Sequence, residues 1–198
     1  MGNQKKLLYI SNPEDAQNIP PIINAGTYGV IITCSADITI TLAPVQPENS
    51  IQIIILALLN NDNHVTITTE QIHTTPSGTS TITIGAILKD QAQCTYTGTI
   101  SVPPTGINTT ASHQIQVIQL SPQTHAQAQP ILKIETSQVR CSHGAAMGNF
   151  DPLLVDTLQA RGIPPEKTQR LLRDGFCKSI LDKGDITWYR QLQAHLAL

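Results

Sequence analysis

Between positions 37 and 135, polar and apolar side chains alternate in short runs: Asp37-ITITL, Ser50-IQIII, His64-VTITTE, Ser80-TITIGAIL, Cys94-TYTGTISV, His113-QIQVIQL and Pro130-ILKIE. A period of two sends successive side chains to opposite faces of a strand, and no helix-length stretch of 3.6-residue period separates the runs. Isoleucine, valine and threonine dominate them, residues whose branched Cβ restricts χ1 and suits a pleated surface. Positions 1–149 are therefore predicted to form an all-β core. The most apolar run, 51–59, is interrupted by Gln52. It has about half of the roughly 20 residues that cross a bilayer, so it reads as a buried strand.

The pattern leaves the arrangement of these strands open. Asn-Gly and Asp-Gly hairpin dipeptides are absent, and the runs are broken by single polar residues and by segments such as Asn60-NDN and Thr74-TPSG. A β-sandwich satisfies this pattern. So does a parallel β-helix with Ile and Val in its lumen and Thr, Ser, Asn and Gln in outward ladders. The repeat is too irregular to phase residue by residue.

Beyond position 149 the period changes. Asp151 supplies an N-cap acceptor, Pro152 has no N–H to lose in a first turn, and Gly162 stands where a left-handed cap residue belongs, so a helix is predicted over 152–161. Pro164-Pro165-Glu166 restarts the chain, and Thr168, Leu171, Leu172, Gly175, Phe176, Ser179 and Ile180 fall on one helical stripe ending near Gly184. Asp185 then caps a third helix with Trp188, Leu192 and His195 or Leu196 on its apolar face. Positions 150–198 are read as a small helical domain that closes or extends the β unit. Charge marks the same division, with four Lys/Arg in 1–134 and eight in 135–198.

Composition narrows the function classes. A formal charge of -2 and a pI near 6.3, with no basic cluster interleaved with aromatics, argue against a nucleic-acid partner. The N-terminal MGNQKKLLYISNPED has no apolar signal core, and Lys6 stands where a myristoylation signal needs Ser or Thr. No membrane association and a cytoplasmic location are expected. Cys34, Cys94, Cys141 and Cys177 form no CxxC pair and no closely spaced disulfide framework, which fits free thiols in a reducing compartment. No G-x-S-x-G, P-loop or Cys-His-acid constellation is present, so no enzyme activity is expected.

The stretch from Leu120 to Phe176 resembles the C-terminal signature of the SufB/SufD family of iron–sulfur cluster assembly proteins. That signature runs from a P-x-L-x-I strand through a V-x-x-S-H-G-A-T-x-G turn to a helix ending in R-G-I and a second helix ending near G-F. Pro130, Leu132 and Ile134, then Val139, Ser142-His143-Gly144-Ala145 and Gly148, then Arg161-Gly162-Ile163 and Gly175-Phe176 occupy those places, within a resemblance spanning roughly 94–182. The family likeness implies a right-handed parallel β-helix followed by a small helical domain. In the SufB branch a glutamate follows the histidine of the turn and a cysteine lies upstream. Here Gly144 follows His143 and Ile115 stands near the cysteine's place, so within the family the sequence looks SufD-like.

Cys141 and His143 are two residues apart, so on a strand they share a face, and thiolate and imidazole both suit iron or zinc. As an isolated pair they are accounted for by a small buried hydrophobe and a hydrogen-bonded turn residue. The resemblance adds an association of His143 with cluster formation at a partner interface, with His113 as a neighbour. The other three cysteines are expected to be structurally buried. A transient iron–sulfur cluster is the one cofactor implied.

The resemblance further implies a scaffold working with a SufC-like ABC-type ATPase docked on the C-terminal helices, where Arg170, Leu171, Leu172, Arg173 and Phe176 form the candidate surface. The same residues packed against the last β coil would be the plain alternative. Lumenal ends and strand edges of a solenoid call for a cover. The segment with Pro13, Pro20 and Pro21 is expected at one end, and a SufB-like partner or a second copy of the chain against the weakly charged strands of 94–135. A stand-alone β-helix interaction module is the alternative function, and a β-helical carbohydrate lyase ranks third for want of clustered acids and bases.

Overall fold

The computed structural model describes residues 4–16, 19–43 and 49–196. Strands β1 (Gln4–Ile10), β2 (Gly26–Ile32), β4 (Ser50–Leu59), β6 (Thr79–Leu88), β8 (Thr109–Gln119) and β10 (Val139–Gly148) form one six-stranded sheet, in that order. Strands β3 (Ala36–Leu42), β5 (His64–Ile72), β7 (Gln93–Val102) and β9 (His125–Ile134) form a four-stranded sheet. All pairings between these strands are parallel, and the chain alternates between the two sheets, which makes a β-solenoid. Sandwich topology is thereby set aside.

The lumen is filled from both sheets. Ile53, Ile55, Ile82, Ile84, Ile38, Ile40, Val65 and Ile67 are all buried within one hydrophobic cluster. Coil length varies: Ile51, Ser80, Ala111 and Cys141 lie in one column at intervals of 29, 31 and 30 residues, whereas Gly26 precedes Ile51 by 25. That variation is why the repeat resists phasing in the sequence. Corners are turned by polar residues in the left-handed region, Asn61, Ser77, Asp90 and Asn108. Successive corners bond to one another: Asn61 N donates to Asp90 Oδ2 at 3.1 Å, and Asp90 N donates to Ser121 Oγ at 2.9 Å.

In the first coil a short helix, α1 (Pro13–Ala16), lies against β1 and β3 where a strand of the second sheet would otherwise stand. Ala16 is buried, Ile19 and Ile22 pack on the lumenal core, and Ile22 bridges to Leu42. The expected proline-rich cover is thus in place at this end, although its residues 17 and 18 lie outside the described ones.

Three further helices follow: α2 (Pro152–Ala160), α3 (Pro165–Leu181) and α4 (Trp188–Leu196). Asp151 caps α2, its side chain accepting from Leu153 N, and Gly162 has φ +83°, as the sequence predicts. Asp185 Oδ1 accepts from Thr187 N at 2.7 Å just ahead of α4.

The helices do not close the end of the solenoid. They fold back across the outer face of the six-stranded sheet, α3 lying over β4 and β6. Ile31, Ile54, Leu56 and Ile87 from the sheet share a buried cluster with Cys177, Ile180, Leu181, Trp188 and Leu192. Two glycines make the close approach possible: a Cβ at Gly85 would come within 2.6 Å of Ile180, and one at Gly29 within 2.8 Å of the Trp188 ring. This burial explains the continuous apolar run of β4. Ile53 and Ile55 face the lumen while Ile54 and Leu56 face the helices, so a strand covered on both sides has no polar phase.

The buried stripe of α3 is Thr168, Cys177, Ile180 and Leu181, rotated from the predicted one. Leu171, Gly175 and Ser179 point to solvent. The helix turns its face to sheet β4–β6 rather than to the last coil, and Cys177 counts as one of its apolar positions.

Candidate functional site

With the helices lying elsewhere, the last coil of the solenoid is uncovered. Strands β9 and β10 are the outermost members of their sheets, whereas β7 and β8 are paired on both sides, so the open edge belongs to 125–148 rather than to the whole of 94–135. Large apolar side chains stand exposed there, Leu132 at 38% and Met147 at 40%.

The sequence-predicted turn over 139–148 is itself a strand, β10, continuing the six-stranded sheet. Register sets its side chains: Cys141 is opposite Ala111 and His143 is opposite His113. Ala111 and His113 are lumenal and almost wholly buried, so Cys141 and His143 share the lumen-facing side of β10, at the coil that no strand among the described residues covers. Cys141 is half-buried and His143 exposed.

The two imidazoles stack, with ring centroids 5.9 Å apart and planes inclined by 13°. Beneath them, Tyr96 meets His113 edge-on at 5.9 Å and 90°, and the Tyr96 hydroxyl bonds Thr69 Oγ1 at 2.9 Å. His113 is 1% exposed, and neither ring nitrogen has a hydrogen-bond partner among the described residues. Desolvation, and then the neighbouring His143, push its pKa down to about 4, so it is neutral and keeps a nitrogen lone pair at neutral pH. Burial raises the Cys141 thiol, opposed by a hydrogen bond from the backbone at Ala111.

The fold therefore brings all three predicted residues, His113, Cys141 and His143, to adjacent positions on β8 and β10. Among the described residues no three or more His, Cys, Asp or Glu side chains are placed to hold a metal ion by themselves. Thiol and imidazole suit iron, and a pair of such donors on an exposed coil is an incomplete shell that a further surface can complete. The second predicted set lies apart, on α3. Arg170 and Leu171 are exposed, while Leu172, Arg173 and Phe176 are half-buried, with Phe176 packed on the sheet–helix cluster.

Sequence reasoning passed over a polar group inside the lumen. Gln71 Nε2 donates to Ser80 Oγ at 2.6 Å, and His73 Nε2 is bonded to the same oxygen at 2.7 Å, all three residues being fully buried. The signal was present in β5 and the residue after it, whose buried phase runs Val65, Ile67, Thr69, Gln71 and then His73 and so turns polar in its second half.

The fold that places His143 and Cys141 on its terminal coil is a parallel β-solenoid, and comparison with known proteins gives its family. Residues 36–176 match the core domain of SufBD proteins of the SUF system of FeS cluster assembly, from β3 to α3, a wider span than the signature motifs reach. The chain belongs to the SufBD family. It is 29% identical over 116 residues to the iron–sulfur cluster assembly protein SufD of Bacillus subtilis, covering 59% of this chain and 26% of that protein. It is likewise 29% identical over 123 residues to an iron–sulfur cluster assembly SufBD family protein of Synechocystis, covering 62% of this chain and 26% of that one. Similarity to SufD of Escherichia coli is 25% over 96 residues, 48% of this chain and 23% of the relative. The chain spans about a quarter of the length of the curated relatives it matches.

Proposed function

We propose that this chain is a SufD-like, non-enzymatic scaffold in iron–sulfur cluster assembly, acting in the cytoplasm. The observation that carries this reading is the placement of His143 and Cys141 on the open terminal coil, with His143 stacked on a neutral, buried His113. Two soft-to-borderline donors held on rigid strands can take part in binding a nascent cluster, whose remaining ligands come from the surface that covers the coil. That surface is a SufB-like chain or a second copy of this one, approaching the unpaired edges of β9 and β10. A SufC-like ABC-type ATPase supplies any nucleotide chemistry and docks on the exposed side of α3 around Arg170 and Leu171, with the half-buried Arg173 at its margin. No helix among the described residues is long and apolar enough to cross a membrane.

Anaerobic reconstitution with iron and sulfide, of the chain alone and with a SufB-like partner, tests the reading. A visible chromophore and bound iron that are lost in the Cys141→Ser/His143→Ala double variant are expected. Capture of an ATPase with no iron retained under either condition would favour an adaptor role, neither iron nor an ATPase would favour the stand-alone interaction module, and polysaccharide turnover would favour the lyase.

A further inference from the structure

Between the outer face of the six-stranded sheet and helices α3 and α4 lies a half-open cavity of about 330 Å³. It sits at the carboxyl ends of β4, β6 and β8, away from the terminal coil. Leu58, Ile87, Leu120 and Leu192 form its apolar walls, and the Tyr189 ring closes one side. Its size falls at the lower end of ligand-binding cavities, about 300–1,000 Å³, and an apolar lining with a few convergent polar groups is the usual make-up of such sites.

Charge at the mouth is uneven. Arg173 and Asp174 line the cavity together, but they are bonded to each other, Arg173 Nη2 to Asp174 Oδ1 at 3.3 Å, and so offset one another. Lys89 lies on the rim and is exposed, and its ammonium group has no hydrogen-bond or carboxylate partner among the described residues. Cys177, in the wall, is held as a neutral thiol by burial, its pKa pushed up to about 12, and adds no negative charge. One uncompensated cation therefore stands over a hole whose walls are largely apolar, with Thr33 and Asn60 also on its lining.

We infer that this cavity binds a small amphipathic monocarboxylate, its apolar body between Leu58, Leu120 and Leu192 and its carboxylate at Lys89. A neutral apolar molecule would forgo the charge-assisted hydrogen bond, and a dianion would meet Asp174 once Lys89 is engaged. The site is independent of the cluster-assembly reading, since none of His113, Cys141 and His143 lines it.

The test is displacement of 8-anilinonaphthalene-1-sulfonate from the full chain by decanoate and by decanol. Saturable displacement by decanoate is expected, with decanol weaker by about tenfold, one ion-pair's worth of affinity in a partly buried site. Lys89→Glu should remove that preference, and Leu120→Phe, which narrows the cavity, should weaken displacement by both ligands. Leu153→Ser, an exposed apolar position on α2 outside the cavity, should leave both unchanged. Far-UV circular dichroism checks that each variant folds. Equal displacement by decanoate and decanol in the parent chain, a preference that survives Lys89→Glu, or displacement weakened by Leu153→Ser and not by Leu120→Phe would each overturn the assignment.

Discussion

His113 and His143 are register partners on adjacent parallel strands, and their rings stack 5.9 Å apart, one buried in the last closed coil and the other exposed on the open one. The buried ring has no hydrogen-bond partner for its nitrogens among the described residues and stays neutral, so it supports His143 without competing for a proton near pH 7. Replacing His143 by Ala should sharply lower iron retained after anaerobic reconstitution while far-UV circular dichroism stays unchanged, because the side chain is exposed and its stacking on His113 lies at the open coil. Equal iron in variant and parent would remove His143 from the site.

Acid should destabilise the fold through two histidines. His73 and His113 are both held down to about 4 by burial, against an unfolded value of about 6.5. Between those values the unfolded chain takes up protons that the folded chain excludes, so stability is full above about pH 7 and falls as pH drops towards 4. The slope is at most about 1.4 kcal/mol per pH unit for each histidine. Urea midpoints at pH 7 and pH 5 measure it, and His73→Leu should reduce the difference by about half. An undiminished difference in that variant would place the proton uptake elsewhere.

The close contact of Gly85 with Ile180 fixes how α3 seats on the sheet. Gly85→Val should cost about 1–3 kcal/mol by overpacking and shift the emission of Trp188, the single tryptophan, to the red. Gly175→Ala, on the same helix with open space around the new methyl, should instead stabilise by about 0.5–1 kcal/mol. Like signs for the two substitutions would contradict this seating.

Gly162 follows α2 at φ +83°, with nothing within 4 Å of a Cβ added there. The strain of a substitution is therefore conformational. Gly162→Val should cost on the order of 1–2 kcal/mol, and Gly162→Asn clearly less, as read from thermal unfolding. An unchanged melting temperature for the valine variant would show that the turn relaxes freely.

Self-pairing through the open coil predicts a mass twice the 21.4 kDa of one chain at micromolar concentration, by light scattering. Leu132→Lys with Met147→Lys, both on the exposed edge strands, should return it to one chain. A parent chain that stays monomeric as concentration rises would leave a different partner to cover the coil.

Most of the strands were legible because a side chain either faces the lumen or does not, and in β3, β5 and β7 that alternation survives unmixed. The α2 boundaries were legible for an equally local reason, since Asp151, Pro152 and Gly162 act on the backbone beside them. The adjacency of His113 and His143 was not visible in local pattern, because 30 residues separate them and only the parallel register of β8 and β10 makes them neighbours. Nor could periodicity say where the helices go. Their apolar faces fit any apolar surface of the right shape, and the choice of the outer sheet over the solenoid end rests on Gly29 and Gly85 opening notches for Trp188 and Ile180. Packing of that kind is a property of two surfaces at once, and it is what left the terminal coil, with Cys141 and His143, uncovered.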